Sequence, residues 1–329
     1  MPSSTGVLLI QLGTPEAPTA PGLRRYLRQF LSDPRVIEAP RLFWWLILNG
    51  RILITRPAQS AAKYRRIWDS QTGSPLLHIT RLQTEALQKA LPQVPVRFGM
   101  QVGNPSVREV VHRLIEEGID RLIVLPMYPQ YSATTTASAL DALFQALMKE
   151  RRVPAIRVVP PYYDHPAYLD AVATVIGEEL AGLSWQPEHF VVSFHGLPVK
   201  YVDRGDPYPK HVERTTQLLL DRLGWAPGSW TQSFQSLFGK SRWLEPYTDQ
   251  TLKKLAAQGV KRVFVTTPGF TTDCLETLDE IGFEALELFL HAGGERLHQC
   301  RCLNDHPAWI QAMKALVQQE GQGWIEVAG

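Results

Sequence analysis

The alternation of short apolar runs with longer amphipathic stretches predicts an α/β chain of two similar halves, each a parallel sheet flanked by helices. Two further observations support this fold class. Gly118–Val124 (GIDRLIV) is echoed by Gly259–Val265 (GVKRVFV), and Pro160–Pro161 divides the two sets of elements. After each echoed strand come a proline, an aromatic residue two positions on, and hydroxyls, Pro129-Gln130-Tyr131-Ser132 against Pro268-Gly269-Phe270-Thr271. The repeat reads as two copies of one α/β unit, residues 1–160 and 161–329, with the last helix free to pack back on the first half. Two such units facing each other would create an interdomain cleft, the usual place for a small-molecule site.

In chain order, Val7–Leu12 is a first strand that turns at Gly13-Thr14-Pro15. Leu23–Leu31 is a helix with one apolar and one basic face, and Pro34 and Pro40 break regularity after it. Leu42–Leu48 (LFWWLIL) is cut off by Asn49-Gly50-Arg51. Its residue types favour a helix contact with the core, with an apolar lip or membrane-surface contact as the other readings. Ala58–Trp68 is a short basic helix, and Thr72–Pro75 turns into a helix over Ile79–Ala90. Val96–Val102 is a strand, Ser106 caps a helix Val107–Glu117, Arg121–Leu125 is a strand, and a helix through Asp141–Glu150 leads to a strand Ala155–Val159. In the second half His165–Leu180, Tyr208–Leu223 and Tyr247–Gln258 are helices, and Phe190–Phe194, Trp230–Gln235 and Arg262–Thr266 are strands. Leu275–Glu280 lies in a helix after the last of these.

Composition narrows the function classes. The chain has 329 residues, 44% apolar and 20% charged, with a net charge of +2, too balanced for a nucleic-acid partner. Three cysteines, Cys274, Cys300 and Cys302, cannot build a disulfide framework and suit a reducing compartment. Cys300 and Cys302 lack a second close pair for a four-sulfur metal site and read as structural. The start of the chain lacks the basic region and apolar core of a signal peptide, and no run approaches the roughly 20 apolar residues that span a bilayer.

Two stretches carry chemistry. Phe190–Pro198 (FVVSFHGLP) begins as a buried strand and stops at a turn, delivering His195 to the strand's carboxyl end, where open α/β sheets build ligand crevices. Thr271–Glu284 (TTDCLETLDEIGFE) sets Asp273, Glu276 and Glu280 at i, i+3 and i+7, so one helical face is acidic. Glu284 extends that row unless Gly282 ends or distorts the helix first. Both features also have structural readings, a satisfied turn histidine and carboxylates at a positive helix end. Together they suggest an imidazole–carboxylate pair that could bind a divalent metal weakly or pass protons near neutral pH.

The motifs SFHGLP (Ser193–Pro198), RGDPY (Arg204–Tyr208), FQSLFGKSRWLEPYTD (Phe234–Asp249) and TTDCLETLDEI (Thr271–Ile281) resemble those of ferrochelatases. LGTP (Leu12–Pro15), GNP (Gly103–Pro105) and YPQYS (Tyr128–Ser132) agree, so the resemblance covers nearly the whole chain. It implies two flavodoxin-like, chelatase-type halves around a porphyrin cleft, and insertion of Fe²⁺ into protoporphyrin IX to give protoheme with release of two protons, the terminal step of heme biosynthesis. It makes His195 the base or a metal ligand and Glu276 its partner, with the question of which delivers the metal left open. Glu280, and Glu284 beyond it, would continue a path for metal or protons. Leu12, Tyr128 and Trp243 match positions lining the macrocycle, and Arg56, Tyr64 and Ser74 match the side that holds propionates. Leu42–Leu48 would be the apolar lip, giving a cytoplasmic monomer with peripheral contact at the inner face of the membrane. Fe²⁺ would be a substrate, with no tightly bound cofactor. The implied type is bacterial, without an iron–sulfur extension, since three cysteines are too few for a two-iron cluster.

Two departures stand out. Leu237 takes the place of a basic residue in many relatives, and Gln101-Val102 replace an Arg-Tyr or Lys-His type pair, so the base is expected from the His195 side. The alternatives are a chelatase for coproporphyrin or another metal, a porphyrin or heme carrier without catalysis, and a generic two-domain ligand-binding protein.

Overall fold

The computed structural model describes residues 4–237, 239 and 241–325. It divides into one unit of Met1–Pro161 with Ile310–Gly329 and a second of Tyr162–Trp309. The first unit contains β1 (Thr5–Gly13), α1 (Ala20–Leu31), α2 (Arg41–Ile47), α3 (Leu53–Ile67), α4 (Pro75–Ala90), β2 (Val96–Val102), α5 (Val107–Glu116), β3 (Arg121–Pro126), α6 (Ser138–Leu147) and β4 (Ala155–Val158). The second contains α7 (Pro166–Gly182), β5 (His189–His195), α8 (Val199–Asp203), α9 (Tyr208–Leu223), β6 (Trp230–Gln235), α10 (Thr248–Ala257), β7 (Arg262–Thr266), α11 (Leu275–Leu278), α12 (Leu286–His291) and β8 (Arg296–Gln299). A last helix, α13 (Pro307–Glu320), starts in the second unit and runs into the first.

Each sheet has four parallel strands, in the order β2-β1-β3-β4 in one unit and β6-β5-β7-β8 in the other. This is the flavodoxin-like order, with its switch point at the carboxyl ends of β1 and β3, or of β5 and β7. The sequence echo marks the same position in both copies. Gly118 and Gly259, at φ 88° and 90°, end the helices that lead into β3 and β7.

Strand β1 is a continuous apolar run because helices cover both faces, and Val7, Leu8, Leu9 and Ile10 are fully buried. Leu8, Ile10, Leu122 and Val124 pack against Val110, Val111 and Leu114 of α5 and Leu143 and Leu147 of α6. Ser106 and Glu109 form a reciprocal capping box at the start of α5, an arrangement in which the cap residue contributes about 1 kcal/mol. In the second unit Val191, Val263 and Val265 pack against Leu252 and Leu255 of α10 and against Ile281, Ala285 and Phe289.

Several sequence expectations shift. Helix α4 begins at Pro75, four residues before Ile79, because proline is tolerated at the first helical position. The expected helix over Leu275–Glu280 stops at Leu278, and a π-helical segment, Glu280–Ala285, takes the chain into α12. Gly282 therefore lies within a distorted helix that continues beyond it. Strand β8 carries no strand signal in the sequence, because its four residues, Arg-Leu-His-Gln, contain no β-branched side chain and sit at a sheet edge. The core contact expected of Leu42–Leu48 is overturned for most of its side chains. Trp44 and Leu48 are buried with Leu31, Ile52 and Leu53, but Leu42, Phe43, Trp45 and Leu46 are 77%, 60%, 59% and 56% exposed. Trp44 donates its Nε1 hydrogen to the Leu31 carbonyl at 2.6 Å, so one indole anchors the segment while the rest faces outward. Among the described residues no helix is long and apolar enough to cross a membrane.

His189, at the start of β5, is buried and shares a 2.9 Å hydrogen bond with Thr231 Oγ1. Burial holds its imidazole below the ordinary value of 6.5. The unfolded chain therefore binds a proton that the native protein lacks, and stability falls as pH drops through 6.5. His189→Gln should reduce the drop in Tm between about pH 7.5 and 5.5. An unchanged drop would show that His189 carries none of the acid sensitivity.

Candidate functional site

Strand β5 is buried from Val191 through Phe194, and His195 emerges as its first exposed residue. Its Nδ1 lies 2.7 Å from the Gly196 carbonyl oxygen. A carbonyl only accepts, so Nδ1 carries the hydrogen and the neutral ring keeps its lone pair on Nε2. Tyr208 fixes the backbone beneath, donating its hydroxyl hydrogen to the His195 carbonyl at 3.0 Å. Burial pushes the Tyr208 phenol well above its usual range, so it stays a donor. Gly196 is required by packing, since a Cβ there would stand 2.9 Å from the Gln235 carbonyl oxygen and 3.1 Å from Trp243 Cε3. Trp243 is buried, and its backbone bridges to Pro198, closing the loop after β6 against the loop after β5.

Glu276 sits on the one-turn helix α11, at the carboxyl side of β7 and so beside the switch point of the second sheet. Gln235, at the end of β6, donates Nε2–H to the Glu276 carbonyl at 2.7 Å. Gln235 is itself held from below, its Oε1 accepting from Ser193 Oγ at 2.7 Å. The Ser193 and Ser233 hydroxyls each lie 2.8 Å from Thr248 Oγ1. These four groups are almost fully buried, so the polar chain connects β5, β6 and α10 directly under the site.

Glu280 completes the cluster. Ser236 donates both its backbone N–H and its hydroxyl hydrogen to the two Glu280 carboxylate oxygens, each at 2.5 Å. Ser236 adopts φ 66°, a left-handed conformation uncommon for a residue with a side chain. Burial raises the Glu280 carboxyl above its ordinary range, opposed by the Ser236 bonds and the charge of His195 and reinforced by the charge of Glu276. Glu280 therefore senses the charges of both His195 and Glu276. Glu284, half-buried, borders a surface hollow with Lys253, Glu287 and His291. The row on this segment is thus Glu276, Glu280 and Glu284, at steps of four.

Asp273 does not belong to that row. Cys274 is the N-cap, so Asp273 precedes the helix, and its side chain turns into the protein with 5% of the residue exposed. The Cys274 thiol is raised well above its usual range by burial and by the neighbouring Glu276 charge, so it stays protonated. Among the described residues no group of three or more His, Cys, Asp or Glu side chains is arranged to hold a metal ion.

In the first unit Leu12 is the last residue but one of β1, half-buried. Gly6 pairs with Leu122 as His189 pairs with Val263, so Leu12 occupies the register position of His195, six residues further along each strand. Tyr128, half-buried after β3, donates its hydroxyl to Gln101 Oε1 at 3.3 Å. Gln101 in turn donates to Ser138 Oγ, which donates to Asp33. Tyr64 is buried edge-on against Tyr26 and Trp68, while Arg56, on the same helix α3, is exposed. Ser74 is buried, its hydroxyl 2.8 Å from Thr14 Oγ1. Residue-type patterns gave no role to Tyr208, Gln235 or Ser236, although the first stands inside the RGDPY motif and the other two inside the FQS motif; contacts between distant segments define what they hold.

The ferrochelatase family profile matches residues 4–321. Ferrochelatases of Mesorhizobium japonicum and Brucella ovis are 50% and 49% identical to the chain over 324 residues, covering 97% of it and 92% of each relative. The fold is similar to that of the sirohydrochlorin chelatase SirB of Bacillus subtilis subspecies spizizenii in complex with cobalt, with TM-score 0.57, 11% identity, and 98% of this chain and 97% of that one covered. SirB of Bacillus subtilis with Fe³⁺ gives TM-score 0.53 at 13% identity, with 97% and 98% covered. The same strand order in both sheets, the histidine and carboxylates at one switch point, and half-identity over nearly the full length place this chain in the ferrochelatase family.

Proposed function

We propose that this chain inserts Fe²⁺ into protoporphyrin IX to form protoheme. In that reaction four iron–nitrogen bonds form and two pyrrole N–H bonds break, so two protons must leave the ring. The observation that carries the reading is the Nδ1 contact of His195 with the Gly196 carbonyl, which leaves the Nε2 lone pair to accept a pyrrole proton. Glu276 is its partner. Glu280, held by Ser236 and with its carboxyl raised by burial, can take up and release a proton nearer neutrality than an ordinary carboxylate. Imidazole and carboxylate also suit a transient divalent ion, so His195, Glu276 and Glu280 are assigned to the metal as well as the protons. Fe²⁺ enters as substrate, and we assign no tightly bound cofactor and no iron–sulfur cluster.

Leu12, Tyr128 and Trp243 are assigned to the macrocycle, and Arg56, Tyr64 and Ser74 to the side that holds its propionates. The exposed Leu42, Phe43, Trp45 and Leu46 are assigned to a peripheral membrane contact of a monomeric enzyme at the cytoplasmic face. Each such side chain gains about 1.5–3 kcal/mol when fully buried. Residues 20–67 carry ten Lys or Arg against two Asp or Glu, leaving 24 against 30 elsewhere, so this region would also be drawn to anionic headgroups.

The test is anaerobic turnover of protoporphyrin IX and Fe²⁺, followed by loss of porphyrin fluorescence. His195→Ala should lower kcat by about 10²-fold or more while porphyrin still binds, and Glu276→Gln should lower it severely without unfolding the protein. Near wild-type turnover in either variant would remove the role given to that residue. Faster turnover of coproporphyrin would move the assignment to that substrate, and tight porphyrin binding without turnover would make the protein a carrier. Sedimentation with anionic vesicles should be weakened by Trp45→Glu and by salt; equal binding of both proteins would reject the lip.

A further inference from the structure

We propose that Asp273 and Asn304 are positioning residues for Glu276, acting as a clamp on the one-turn helix that carries it. The proposal rests on the reading that Glu276 acts in metal insertion. Helix α11 is four residues long, too short to hold its own conformation, and the π-helical segment after it adds no regular α-helical turn. Something outside the helix must therefore fix where Glu276 stands.

The contacts around Asp273 supply that restraint. Its Oδ1 accepts from Thr277 Oγ1 at 2.7 Å, tying the first turn to the residue before the cap. Its Oδ2 accepts from Asn304 Nδ2 at 2.7 Å and from the Cys302 backbone N–H at 3.2 Å. Asn304 returns the contact, its Oδ1 accepting the Asp273 backbone N–H at 2.9 Å. The Asn304 backbone N–H donates to the Thr271 carbonyl at 3.0 Å. The loop before Glu276 is thereby fastened to the loop that follows β8, while Gln235 holds the Glu276 carbonyl from β6.

The residue types suit the task. Asp273 is a buried carboxylate whose two oxygens are both engaged by protein donors, which offsets the cost of burying its charge and makes it a scaffold acceptor. Asn304 sits at φ 46°, where asparagine is among the better-tolerated residues with a side chain.

The test uses Asn304→Gly, which keeps the left-handed backbone while removing the side chain. Iron insertion into protoporphyrin IX is measured in single turnover, with porphyrin affinity measured separately by fluorescence. Asn304→Gly should slow insertion by about 10-fold or more and raise KM for Fe²⁺, with porphyrin affinity changed by less than about twofold. The exchange Asp273→Asn with Asn304→Asp, which restores a donor–acceptor pair in reverse, should recover part of the rate lost in Asn304→Asp alone. In a Glu276→Gln background Asn304→Gly should have no further effect, because its action runs through Glu276. Unchanged insertion in Asn304→Gly, or an undiminished effect in the Glu276→Gln background, would overturn the clamp. An inactive wild-type protein would instead defeat the underlying reading of function.

Discussion

The Gly196 carbonyl, 2.7 Å from His195 Nδ1, leaves the imidazole one nitrogen with which to accept a proton, and the surrounding structure keeps that contact in place. Tyr208 holds the His195 carbonyl, Trp243 and the Gln235 carbonyl leave no room for a side chain at residue 196, and the Pro198–Trp243 bridge closes the loop. A base for a porphyrin needs a lone pair that stays in one place. The cost of that order is met by a buried strand whose apolar run ends one residue earlier.

The two halves show how a duplicated frame can diverge in chemistry. Strand order is the same in both, yet Leu12 stands at the register position of His195. At that position the first copy carries a hydrocarbon side chain and the second an imidazole. The carboxylates follow the second copy as well, after β7, so His195, Glu276 and Glu280 all belong to one unit.

Much of this was legible because local patterns and tertiary structure agree. The runs at Val96–Val102, Trp230–Gln235 and Arg262–Thr266 are strands with the bounds their apolar pattern suggests. His195 and Glu276 could be placed at strand ends because parallel sheets put their sites there. The remainder depends on contacts that spacing does not encode. Asp273 looked like the first member of an acidic row, but Asn304, 31 residues away, draws its carboxylate inward. The π-helical segment changes the phase of the helix, so regular spacing does not say what each carboxylate meets: Ser236 holds Glu280, while Glu284 borders a surface hollow. At Leu42–Leu48 composition alone could not separate a core helix from an exposed lip, since the same indole serves either.

The measurement that tests the central claim most directly is the tautomer of His195, read from ¹⁵N–¹H correlation of the imidazole nitrogens at about pH 8, where an ordinary histidine is neutral. His195→Gln assigns the signal. The expected result is a hydrogen on Nδ1 and a lone pair on Nε2. A hydrogen on Nε2 would contradict it, because the ring could then not accept a pyrrole proton at that atom.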